Sequence, residues 1–175
     1  MIQEPSFRKL GVVGAPRAGQ LRWLWLSLLL LGLDQLTKYL IVANFDLYET
    51  RTLLPVLNLS YWRNTGAAFS FLADKAGWQR WLFSALALGA SVALVIWLAR
   101  LKRSANLLAA ALAMILSGAI GNLIDRMRLG YVNDFVQVHW GEHYFPAFNV
   151  ADSAITVGAI LLLLDAWLAA RHKGG

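Results

Sequence analysis

Nineteen consecutive residues, Trp81 to Ala99, carry no charged side chain. That stretch limits the fold more than any other feature of the chain. Wound as an α-helix it matches the hydrocarbon thickness of a bilayer. Inside lipid a spanning segment must satisfy its own backbone, and the helix does so without a neighbour. Three more long apolar segments accompany it, so spans are expected at about 21–43, 79–99, 106–125 and 149–170. Of the 175 residues 58% are hydrophobic and the mean hydropathy is +0.53, an excess too large for a soluble domain of this size. The expectation is an all-α membrane protein, one integral membrane domain over 1–175 with four transmembrane helices.

Two longer connections, about 44–78 and 126–148, are expected on the extracytoplasmic side. Val56 to Arg63 alternates Leu57, Leu59 and Tyr61 with Asn58, Ser60 and Trp62, which predicts a strand with one apolar face. Asn64-Thr-Gly66-Ala-Ala-Phe69 then favours a turn. Phe71 to Trp78 reads as a short amphipathic surface helix. The spans should therefore carry a small β-like cradle, whose strand could hold an extended peptide by edge pairing.

Lysine and arginine set the orientation. Arg8, Lys9, Arg17 and Arg22 lie before or at the very start of the first span, Arg100, Lys102 and Arg103 lie between the second and third, and Arg171 and Lys173 follow the fourth. Only Glu4 opposes them, whereas the two long loops mix both signs. Both termini are thus expected in the cytoplasm. The formal net charge of +6 then reports topology, and no nucleic-acid partner is expected. Residues 1–20 read as a loose polar tail rather than a cleaved signal peptide. Cysteine is absent, which excludes thiol nucleophiles, disulfides and thiolate metal sites.

This topology gives a depth to each acid. At about 1.5 Å per residue, Asp34 stands roughly 20 Å from the inner face of a core about 30 Å thick. Asp125 ends an outward-running helix, and Asp152 opens an inward-running one. All three fall in the outer part of the membrane. Ionisable groups there are costly, which makes them functional candidates by default.

Asn122-x-x-Asp125-Arg126 and Asn149-x-x-Asp152 each set an amide and a carboxylate one turn apart on a helix face. They could simply satisfy backbone groups at helix ends. The alternative is a pair of carboxylates sharing a proton, able to activate water against a peptide bond without metal or covalent intermediate. Asp152 would be one member, with Asp134 or Asp125 as the other. Arg126 beside Asp125 would favour the charged form of Asp125, whereas Val132 and Phe135 around Asp134 would help retain a shared proton. Asp34 and Lys38, four apart, read as an ion pair holding a polar loop onto the bundle. Ser117, Gly118 and Gly121 read as small residues for close helix packing. His139-Trp-Gly-Glu-His143 matches the letters of a zinc motif. Gly141 within it and Pro146 after it oppose the regular helix that zinc ligation needs, and Trp140, Tyr144 and Phe145 suit a membrane interface.

Taken together these residues resemble the signal peptidase II family, aspartyl proteases of bacterial membranes. The likeness is carried by Asp34-x-x-Thr-Lys38, Asn64-x-Gly66-x-Ala-Phe69, Gly121-Asn-x-x-Asp125-Arg126, Val132-x-Asp134-Phe135 and Phe148-Asn-x-Ala151-Asp152. Ser117 stands where that family usually has Gly. The resemblance implies a catalytic pair at Asp134 and Asp152. It implies supporting or substrate-binding roles for Asp34, Lys38, Asn64, Gly66, Asn122, Asp125, Arg126, Asn149 and Ala151. It further implies cleavage of diacylglyceryl-modified prolipoproteins on the amino side of the lipidated cysteine. The site would lie near the outer face of the bacterial cytoplasmic (inner) membrane. Membrane lipids and the cyclic peptide globomycin are the other expected partners, and no cofactor is expected. Two other functions stay in view: a proton-coupled carrier relaying through Asp34, Lys38 and Asp152, and a non-enzymatic scaffold. The shared depth of the acids opposes the scaffold.

Overall fold

The structure is a computed structural model that describes residues 19–66 and 77–171. The expected surface helix over 71–78, residues 67–69 of the turn, the basic tail up to Arg17 and Lys173 lie outside the described residues, although Trp78 itself opens the second long helix. A 3-10 turn at Leu21–Trp23 leads into α1, Leu24–Asn44. Strands β1 (Thr50–Leu54) and β2 (Leu57–Asn64) precede α2, Trp78–Arg100. Then come α3 (Asn106–Leu129), β3 (Val132–Trp140), β4 (His143–Tyr144) and α4 (Val150–Arg171). All four helices are long and apolar enough to cross a membrane.

Burial identifies the central helix. In α3, 56% of the apolar window is buried, against 22% in α1 and α2 and 11% in α4. Leu94 and Leu98 of α2 pack on Ala109, Leu112 and Leu116 of α3. Leu28, Trp25, Leu86, Ile160 and Leu163 point outward, as lipid-facing side chains do. Small residues let α3 and α4 touch. A Cβ on Gly118 would strike the Ala151 carbonyl, and one on Gly158 would lie 2.7 Å from Ile115 Cγ1. The helix runs one turn past Asp125, until Gly130 takes a left-handed conformation (φ 87°) that ends it.

The expected β-like cradle is more extensive than one strand, so the all-α label is too narrow. The chain also forms a four-stranded antiparallel sheet, in the order β1-β2-β3-β4. Nine residues of the second long loop make β3, whose first four members, Val132 to Phe135, are all buried. Burial on both faces removes the alternation that would have announced it. The predicted strand exists as β2, but Asn58 and Ser60 are buried while Leu57 and Leu59 are only half-buried. It is an inner strand, paired with β3 on one side and with β1 on the other. Peptide pairing along Leu57–Ser60 is therefore blocked, and Trp62–Asn64 runs beyond its register with β1. Ile41 of α1, Tyr61 of β2 and Phe135 of β3 form the small core that seats the sheet on the helices.

Candidate active site

The site is built where α4 begins. Phe148 and Val136 exchange two backbone hydrogen bonds, Phe148 N–H to Val136 O at 2.9 Å and Val136 N–H to Phe148 O at 2.8 Å. This bridge makes Asn149 the point from which the helix departs. Asn149 Oδ1 accepts from the Asp152 N–H (2.9 Å), and Asp152 Oδ2 accepts from the Asn149 N–H (3.2 Å). That is a reciprocal capping box. End capping is thus real here, yet one group on each residue remains. Asn149 Nδ2 donates to Asp134 Oδ1 at 2.7 Å, and Asp152 Oδ1 accepts from Asn122 Nδ2 at 2.8 Å.

Sheet register supplies the third amide. Asn64 stands opposite Val132, which makes Asp134 its diagonal neighbour on the same face of the sheet. Asn64 Nδ2 donates to Asp134 Oδ2 at 2.9 Å, while its Oδ1 accepts from the Gly66 N–H at 2.8 Å. Gly66 has φ 86°, a conformation that favours glycine. Asn149 Nδ2 also lies 3.3 Å from Asn122 Oδ1, so the amides bridge the two acids. Among the described residues neither Asp134 nor Asp152 has an ion pair.

Burial raises the pKa of Asp134 from 3.8 to about 6. The bonds from Asn64 and Asn149 and the charge of Lys38 pull it back, and the charge of Asp152 pushes it further up. The group thus sits where it can hold or release a proton near neutrality.

A second cluster lies against the first. Lys38 Nζ is 2.9 Å from Asp34 Oδ2, 3.1 Å from Asp125 Oδ2 and 3.1 Å from Asn122 Oδ1, so its three protons are all used. Asp34 Oδ1 accepts from the Ala151 N–H (2.9 Å), and Asp125 Oδ2 from the Asn133 N–H (3.1 Å). The Asp34–Lys38 pair therefore ties α1 to α3 and to the start of α4, rather than holding a loop alone. Gly121 makes room, since a Cβ there would lie 2.6 Å from Asp34 Oδ2.

Among the described residues Arg126 acts on Asp125 only through its charge, without an ion pair. Successive helix residues do not face one another, and Asp125 turns to Lys38. The Arg126 guanidinium sits over the Phe83 ring, 5.2 Å from its centroid, and reaches Asn122 O only at 3.5 Å. The His139–His143 stretch forms the β3–β4 hairpin, not a helix, with His139 stacked on Tyr144. Residues the motifs did not flag are Gln35, which bridges Asp34 Oδ2 (3.1 Å) and Asp125 Oδ1 (3.3 Å), together with Asn133 and Phe83. Gln35 was visible as a polar residue inside an apolar segment. Phe83 lies in an unbroken apolar run and gave no signal.

Four helices long and apolar enough to span a membrane, with two amide-held carboxylates at one end, fit an integral membrane protein. Comparison with known proteins narrows the class. The model of the family described as "Signal peptidase (SPase) II" matches residues 26–168. The lipoprotein signal peptidase of Pseudomonas putida is 58% identical over 155 residues, covering 86% of this chain and 90% of that protein. That of Shewanella baltica is 49% identical over 153 residues, covering 87% and 90%. A bacterial membrane enzyme solved by the in meso method at 2.3 Å superposes with a TM-score of 0.75 at 29% identity, covering 87% of this chain and 91% of that one. The chain belongs to the signal peptidase II family and is an aspartic-type signal peptidase.

Proposed function

We propose that Asp134 and Asp152 are the catalytic pair of this peptidase. The substrates are diacylglyceryl-modified prolipoproteins, cut on the amino side of the lipidated cysteine. The observation that carries the assignment is the pair's setting. Each carboxylate is held by amides alone, Asn149 and Asn122 join the two, and Asp134 titrates near 6. Two nearby carboxylates share one proton. Asp152 as carboxylate removes a proton from a water lying between them, and the oxygen of that water attacks the scissile carbonyl. Asp134 gives its proton to the carbonyl oxygen, forming a neutral gem-diol. On collapse Asp152 returns its proton to the leaving nitrogen, and Asp134 recovers one from the diol hydroxyl.

The remaining assignments rest on geometry. Asn64, Asn122 and Asn149 hold the acids, and Gly66 shapes the turn that places Asn64. Asp34, Lys38, Asp125 and the Ala151 backbone lock α1, α3, α4 and β3 together. Arg126, half-buried on the Phe83 ring with its charge near the pair, is assigned to substrate binding. Membrane lipids surround the bundle, and globomycin, the inhibitor that the family resemblance implies, is a further ligand.

The site lies near the outer face of the inner membrane, with both termini in the cytoplasm. Single cysteines at Asn44 or Glu142 should react with an impermeant reagent from outside, and one at Lys102 should not. The direct test incubates purified protein with diacylglyceryl-modified prolipoprotein and follows release of the signal peptide. Cleavage of the modified form, but not of the unmodified precursor, supports the reading. Equal cleavage of both, or of neither, refutes it.

A further inference from the structure

Among the described residues α2 packs chiefly on α3, and it supplies no polar group to the carboxylate pair. One residue links it to the site from both sides. A Cβ on Gly66 would fall 2.6 Å from Phe83 Cε2, so the Asn64–Gly66 turn lies directly on the Phe83 ring. The same ring carries the Arg126 guanidinium, 5.2 Å from its centroid. Among the described residues little else holds Arg126: Nε is buried without a partner, and Nη1 meets Asn122 O only at 3.5 Å. Its charge is nevertheless close enough to act on Asp152 and Asp134, and also on Asp125. One turn earlier, Arg80 Nη2 donates to Met127 O, pinning this part of α2 to the end of α3.

We propose that Phe83 is a positioning residue for the peptidase reaction. Its ring is the shared seat of the Asn64–Gly66 turn and of Arg126, and it holds both in register with the carboxylate pair. The proposal rests on the assignment of Asp134 and Asp152. The physical basis is twofold. The π face attracts the guanidinium, most strongly where water is excluded. The ring edge sets the height of the turn, and with it the Asn64 amide that donates to Asp134. An apolar residue of similar bulk fills the volume but offers no negative face, so a packing role and a positioning role separate.

The test begins with wild-type protein that cleaves diacylglyceryl-modified prolipoprotein, which establishes the underlying reading independently. Phe83→Leu should lower kcat about tenfold while KM changes less than about twofold, and Phe83→Tyr should restore most of the rate. Replacing Phe83 by phenylalanines with increasing ring fluorination keeps the shape and weakens the π face. The rate should fall stepwise along that series, and the steps should vanish in an Arg126→Gln background. Gly66→Ala, strained by its positive φ and by the ring, should lose activity, and adding Phe83→Ala should not recover it. Thermal melts of each variant exclude those that fail to fold. A wild-type rate in folded Phe83→Leu, or a flat fluorination series, would overturn the proposal while leaving the catalytic assignment intact.

Discussion

Two aspartate pairs sit side by side in this molecule, joined by one asparagine, Asn122. In the first, Asp34 and Asp125 share the Lys38 ammonium and backbone N–H groups of Ala151 and Asn133. In the second, Asp134 and Asp152 receive side-chain bonds only from Asn64, Asn122 and Asn149. In the first cluster the lysine ammonium balances the acids and ties helices together. In the second no cation does so, and burial raises Asp134 to about 6, where it can hold or release a proton. The identity of the acids does not separate the clusters; the charge of the partner does. Structural acids and working acids can therefore lie in contact without sharing a role.

The comparison can be broken most severely at Asp152. Asp152→Asn keeps the size of the side chain but removes the base, and cleavage should fall by about a thousandfold or more. The melting temperature should stay within a few degrees, because the amide oxygen can still accept one of the two bonds. In the neighbouring cluster Lys38→Met should act the other way. Leaving two buried carboxylates without their cation costs about 3–5 kcal/mol, read as a large drop in thermal stability. A Lys38→Met protein as stable as wild type would mean that the cluster does not hold the bundle.

A finer distinction is spectroscopic. With 13C-labelled aspartate, Asp134 should titrate near pH 6. Its folded carboxyl keeps a proton that an unfolded one loses near 4, so folding takes up a proton between these values. Stability contributed by this group is greatest below about pH 4, declines as pH rises through 6 and stays lost above it. Asn64→Ala should move the midpoint up by removing a donor to the carboxylate, and Asp152→Asn should move it down by removing a like charge. Shifts of opposite sign to these would undo the account of the pair. The smallest effect belongs to the hairpin. His139→Ala with His143→Ala, or addition of EDTA, should change turnover less than about twofold. Loss of activity on chelation, restored by zinc, would transfer the chemistry to that stretch.

Much of this was legible from residues alone, for reasons that are physical. A charge-free run such as Trp81 to Ala99 admits few structures, and acids at helix ends stand out against apolar sequence. The capping geometry of Asn149 and Asp152 follows from spacing. Other parts were hidden. Val132 to Phe135 is buried on both faces and shows no alternation, so β3 read as loop, and with it the strand that delivers Asp134. Adjacency suggested Arg126 as the partner of Asp125, but only the fold brings Lys38 from α1 into that place. Phe83 looks like any lipid-facing phenylalanine until Gly66 and Arg126 are seen on its ring.

The central claim is that the amide-held acids do the chemistry and the cation-held acids do not. It is tested most directly by comparing Asp134→Asn with Asp125→Asn. Both are purified, checked for folding and given diacylglyceryl-modified prolipoprotein under single-turnover conditions. Asp134→Asn should be folded and inactive, lowered by about a thousandfold or more. Asp125→Asn should be less stable, yet its folded fraction should cleave within about tenfold of wild type. A folded, wholly inactive Asp125→Asn beside an active Asp134→Asn would contradict the account.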